Sequence, residues 1–96
     1  MKSKEMKRIT EKKLNSPNEK LSLILLPKRD HWMYKIYHMG TVIGIFQISL
    51  GSKEFGDPLI GKMSRQLGIT TKQFKDLISC KFWAKDFIIN SRLVDN

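Results

Sequence analysis

The sequence predicts an α+β fold, a three-stranded antiparallel sheet packed by C-terminal helices. Three observations lead there. Between Leu21 and Leu50 apolar, aromatic and β-branched residues come in short runs of strand length, separated by turn residues. Between Leu59 and Ile78 apolar residues recur instead at helical spacing, and each of two short segments opens on a capping signal. A chain of 96 residues is long enough for one domain with a real core.

The elements follow in order. Residues 1–14 alternate charge with sparse Met6, Ile9 and Leu14, which fits either a basic arm or a short amphipathic helix. Asn15-Ser16-Pro17-Asn18 is a turn or linker, so residues 1–19 are set apart from a single α+β domain over 20–96. Leu21 to Leu26, ended by Pro27, has the size of a buried strand. His31 to His38 alternates, with Trp32, Tyr34 and Ile36 on one face and Met33, Lys35 and Tyr37 on the other. Met39-Gly40 reads as a hairpin turn, and Thr41 to Leu50 as a third strand presenting Val42, Phe46, Ile48 and Leu50 to the helices. Asp57 is suited to cap a helix and Pro58 to open it, with Leu59, Ile60, Met63 and Leu67 on one side and Lys62, Arg65 and Gln66 on the other. Gly68 suits a left-handed helix end, and Thr70 with Gln73 has the spacing of a capping box for a helix carrying Phe74, Leu77 and Ile78. Trp83, Phe87 and Ile88 predict a last short helix that lays its aromatics on the sheet.

Lys and Arg number 18 against 9 Asp and Glu, a formal charge of +9. Residues 1–20 hold +4 of it and the other 76 residues +5, so the folded part stays basic without its leading segment. A small domain of this charge points to a polyanionic partner, nucleic acid above all. Cys80 is the single cysteine, which rules out an intramolecular disulfide and fits a reducing cytoplasm. The apolar runs are far too short to span a bilayer, and the basic N-terminus has no following apolar region of a secretory signal. Two separated histidines and one cysteine make no zinc set, so no metal or cofactor is expected. Gly51-Ser52-Lys53 lacks the spacing of a P-loop, and the shortage of carboxylates argues against two-metal and glycosidase chemistry.

Two places offer function. The first is His31, which follows Lys28-Arg29-Asp30 at the head of the second strand. An imidazole there can take a proton from a ribose 2′-OH or give one to a leaving 5′-oxygen near neutral pH. Lys28, Arg29 and Lys35 are placed to offset charge on the phosphorane, and Asp30 to orient the ring. The second place is residues 60–79, which also satisfy a DNA-binding helix-turn-helix. Ser64 is the small residue in its first helix and Gly68 its turn, with Ile69, Phe74 and Leu77 as apolar anchors. Thr71, Lys72, Gln73 and Lys75 would then meet a major groove, where Lys pairs with guanine and Gln with adenine. A third class, a small protein-binding inhibitor or adaptor, predicts tight binding to one protein with only weak, salt-sensitive affinity for nucleic acid.

Gly51-Ser52-Lys53-Glu54, then Leu59-Ile60-Gly61-Lys62-Met63-Ser64-Arg65-Gln66-Leu67-Gly68-Ile69-Thr70, following a histidine-headed strand and a hairpin, resembles the HicA-type mRNA interferases. The resemblance covers roughly residues 21–78. It implies a double-stranded-RNA-binding-like α-β-β-β-α fold, here with an extra C-terminal helix, and metal-independent RNA cleavage by His31. It also implies a HicB-type antitoxin as partner. Lys53, Lys62 and Arg65 join Lys28, Arg29, Lys35, Lys72, Gln73 and Lys75 as candidate contacts to RNA. The chain departs from the family at Arg29-Asp30, where Gly-Ser usually precedes the histidine, and at Asn15–Asn18, where the first helix usually runs straight into the first strand.

Overall fold

A helix that needs a partner to be stable opens the fold. α1 (Ser3–Leu14) turns Met6, Thr10, Lys13 and Leu14 inward at i, i+4, i+7 and i+8, all of them buried. In this computed structural model residues 3–26, 31–49, 57–79 and 81–94 are described. A 3-10 turn (Pro17–Glu19) leads from α1 to β1 (Leu21–Leu26), which is followed by β2 (His31–His38), β3 (Thr41–Ser49), α2 (Asp57–Leu67), α3 (Thr71–Ile78) and α4 (Ala84–Asn90). The sheet is antiparallel throughout, in the order β1-β2-β3. The fold class is α+β, with the α-β-β-β-α order continued by two further helices. No helix among the described residues is long and apolar enough to cross a membrane.

The helices lie on one face of the sheet. Leu21, Leu23, Tyr34, Ile36, Phe46 and Ile48 point into that layer and join Met6, Leu14, Met63, Leu67, Phe74, Leu77 and Phe87 in one core. α1 packs on β1 and β3, α2 on β3, and α3 behind them on α1 and α2. A polar link ties the first helix to the central strand: the buried Tyr34 hydroxyl donates to Glu11 Oε2 at 2.6 Å, and Lys7 Nζ donates to the same oxygen at 2.9 Å. Burial, together with the hydrogen bond to Glu11 and its negative charge, pushes the Tyr34 phenol well above its ordinary pKa.

Two expectations about the strands are corrected. Val42 does not face the helices. A bulge between Ile36 and Tyr37 pairs Gly44 with Ile36 and Val42 with Tyr37, so Ile43 is the extra residue and packs toward the core in its place. Val42 is left 44% exposed on the opposite face. Leu50, grouped with it, lies outside the described residues. β1 is not buried on both faces either, for Ile24 and Leu25 are exposed although Leu21 and Leu23 are buried. It is an edge strand with a single covered face. Its outer edge is partly paired by Ser16, which bridges to Leu21, and by Asn15, whose Oδ1 accepts from Leu23 N–H at 2.7 Å.

The turns follow their residue chemistry. Met39 and Gly40 both take positive φ, the mark of a type I′ hairpin, and Met39 N–H is anchored on the Lys20 carbonyl at 2.9 Å. α2 begins at Asp57 with Pro58 in its first turn. It ends in a Schellman motif: Gly68 at φ +70, Gly68 N–H to the Arg65 carbonyl, and Ile69 N–H to the Ser64 carbonyl. The capping box on α3 is complete, with Gln73 N–H donating to Thr70 Oγ1 and Thr70 N–H donating to Gln73 Oε1. α4 carries a further correction. Ala84 and Phe87 are buried, but Trp83 precedes the helix and is 43% exposed, and the helix rests on α1 and the 3-10 turn rather than on the sheet.

Candidate nucleic-acid interface

On β2 the alternation of the strand sets the positions of His31 and Lys35. Both belong to the row Met33, Lys35, Tyr37 that faces away from the helices, where Lys35 pairs with the exposed Ile24 and Ile45. Four residues of strand separate them, roughly 13 Å at the usual rise. The His31 imidazole is half-buried, and its Nε2 is shielded with no hydrogen-bond partner. Lys28, Arg29 and Asp30, the other groups assigned to the His31 site, lie outside the described residues, as do Lys53 and Cys80.

The helical candidates occupy the other layer. Lys62 and Arg65 are exposed on α2, and Thr71, Lys72 and Lys75 on α3. The turn between the helices is buried beneath the C-terminal segment. Ser91 Oγ donates to the Leu67 carbonyl at 2.6 Å, and Arg92 N–H donates to the Gly68 carbonyl at 2.8 Å. Gln73 has its amide engaged at both ends, since Oε1 accepts from Thr70 N–H and Nε2 donates to Asn90 Oδ1 at 3.2 Å. As a reader of adenine it would first have to give up its cap. The structure thus brings Lys62, Arg65, Lys72 and Lys75 to one helical layer and places His31 and Lys35 on the opposite side of the sheet.

A second basic surface lay outside the sequence-derived set. Lys4, Arg8 and Lys12 are all exposed and recur every four residues on α1, about 6 Å apart along the axis. The row ends at a cleft between α1, the 3-10 turn and the start of α4, lined by Lys12, Lys13, Asn15, Ser16, Glu19, Trp83, Ala84 and Lys85. The i, i+4, i+8 spacing of the three cations was readable. It was obscured because the inward stripe behind it includes Thr10 and Lys13, two polar residues that blur the amphipathic pattern. Among the described residues no three His, Cys, Asp or Glu side chains converge as a metal set would. Comparison with protein-family models, with curated proteins and with solved structures returned no match to this chain.

Proposed function

We propose that this chain is a small RNA-binding protein. The observation that carries the reading is the charge of +9 on 96 residues, with Lys4, Arg8, Lys12, Lys62, Arg65, Lys72 and Lys85 all presented to solvent from helices. Such a surface favours a polyanion through release of its counterions. On the resemblance to HicA-type interferases, binding would be followed by metal-independent endonucleolytic cleavage with His31 as the acid/base group. A HicB-type antitoxin would be the partner and the cytoplasm the setting. The cleavage step rests on His31 alone.

A specific observation favours one other reading, sequence-specific binding of duplex DNA. A Schellman turn and a capping box join α2 to α3 through a short turn, with Thr71, Lys72 and Lys75 exposed, which is compatible with a helix-turn-helix.

The test compares the native protein with His31→Ala on a mixed-sequence single-stranded RNA in EDTA, alongside binding to single-stranded RNA and to duplex DNA. Cleavage by the native protein alone, leaving 2′,3′-cyclic phosphate ends, supports the ribonuclease. Equal cleavage by both proteins removes His31 from the mechanism. RNA binding without cleavage keeps the binding function and rejects the enzyme. Preference for duplex DNA moves the assignment to the helix pair.

A further inference from the structure

We propose that Trp83 is a stacking platform for an unpaired base, and that Lys12 and Lys85 hold the adjoining phosphates of a single strand. The inference rests on the nucleic-acid reading above and names the place and form of its ligand.

The neighbours of Trp83 show that its exposure is a property of the position. Phe82 and Ala84 on either side are buried, and so is Phe87 one turn on, whereas the indole stays 43% exposed. The ring is nonetheless held. Its backbone N–H donates to Asp86 Oδ2 at 3.0 Å, fixing the entry to α4. The Lys13 ammonium lies 5.1 Å from the ring centroid, in the range of a cation–π contact. Lys13 is itself buried and donates to the Leu77 carbonyl, so the cation against the indole is held in place by α3.

That arrangement suits a base. A flat, largely apolar surface, fixed before the ligand arrives, loses little freedom on stacking. Every base offers a π-face, so the contact is tolerant of sequence but requires the base to be out of a duplex. The cleft supplies the counter-charge. Lys12 and Lys85 are exposed on its two sides, Glu19 is the one acidic residue among its described lining, and Arg8 and Lys4 continue the positive row along α1. An aromatic platform beside a basic track is the usual construction for binding single strands.

The chain has two tryptophans, so Trp32→Phe leaves Trp83 as the sole reporter. In that background, Trp83 fluorescence is titrated with oligouridylate and with an RNA duplex of the same length, each carrying a dye for anisotropy. Saturable quenching by the single strand, with duplex binding that leaves the fluorescence unchanged, is expected. Trp83→Leu should weaken the single strand about 5- to 150-fold, the range for loss of one stacked base. Trp83→Phe, which keeps a flat ring, should retain most of the affinity, and melting curves for both variants check that the fold is intact. Lys12→Gln with Lys85→Gln should lower the salt slope of log K by about 1.4, at about 0.7 per phosphate contact on a single strand. If the single strand binds without quenching and Trp83→Leu binds as well as its parent, the stacking site is overturned and RNA binding stands. If neither RNA binds, the RNA reading fails and the stacking site with it.

Discussion

At the scale of single residues, Gly68 and Tyr34 hold the fold for opposite reasons. Gly68 takes φ +70, and a Cβ there would lie 2.9 Å from Ser91 Oγ and 3.0 Å from the Arg92 backbone nitrogen. Gly40 has φ +81 but faces open space. Gly40→Ala should therefore cost only the left-handed backbone penalty, about 1 kcal/mol, whereas Gly68→Ala adds a clash and should cost roughly 2–4 kcal/mol. Urea denaturation of the two variants checks the difference, and equal losses would show that Ser91 and Arg92 do not crowd the turn. Tyr34 acts through its proton. A phenol is neutral below its pKa, and folding raises that pKa above the ordinary value of about 10. The unfolded chain thus releases the proton first, so this contribution is full below about pH 10 and declines as pH rises toward the folded-state value. Tyr34→Phe should cost about 1 kcal/mol at pH 8 by losing the bond to Glu11, and the variant should lack Tyr34's share of the alkaline decline. Stability measured at pH 8 and at pH 10.5 decides it. Gly68 was legible in the sequence because the chemistry of its turn is local. The Tyr34–Glu11 pair was not, since 23 residues separate its partners and only the docking of α1 joins them.

At the scale of elements, legibility followed the same division. The capping box at Thr70 and Gln73, the Met39-Gly40 hairpin and the helix end at Gly68 are settled within a few residues, and all three were readable. The facing of Val42 was not. Strict alternation puts it with Phe46 and Ile48, and nothing local announces the extra residue at Ile43. Trp83 escaped for a related reason, because four-residue spacing to Phe87 looks helical although the helix starts one residue later. The bulge makes a direct prediction. Val42→Thr should alter stability by less than about 0.5 kcal/mol, as exposed positions do, whereas Phe46→Ala should cost about 3–5 kcal/mol from the core. A cost of several kcal/mol at Val42 would return it to the covered face. Thr70→Ala, measured the same way, should cost about 1 kcal/mol through loss of the α3 cap.

At the scale of the whole molecule, the proposed polyanion has two sets of exposed cations to meet. One runs along α1 through Lys4, Arg8 and Lys12 to Lys85 and Trp83. The other is Lys62, Arg65 and Lys72 on α2 and α3. Net charge cannot separate them, because any lost cation weakens the long-range field that draws the strand in. The salt dependence can. Only cations in contact with phosphate displace condensed counterions, so only their removal changes the slope of log K against log salt. Replacing Lys4, Arg8 and Lys12 by glutamine removes three charges, and replacing Lys62, Arg65 and Lys72 removes the same number. The two proteins are thus matched in net charge and differ only in where it was lost. With a single-stranded RNA the α1 variant should lose about 2 from the slope if all three groups meet phosphate, at about 0.7 each, and the α2–α3 variant close to none. The reverse result, above all with duplex DNA as the tighter ligand, would assign binding to the helix-turn-helix. Equal small changes in both would mean a diffuse electrostatic attraction, and the basic surface would then serve association rather than a defined site.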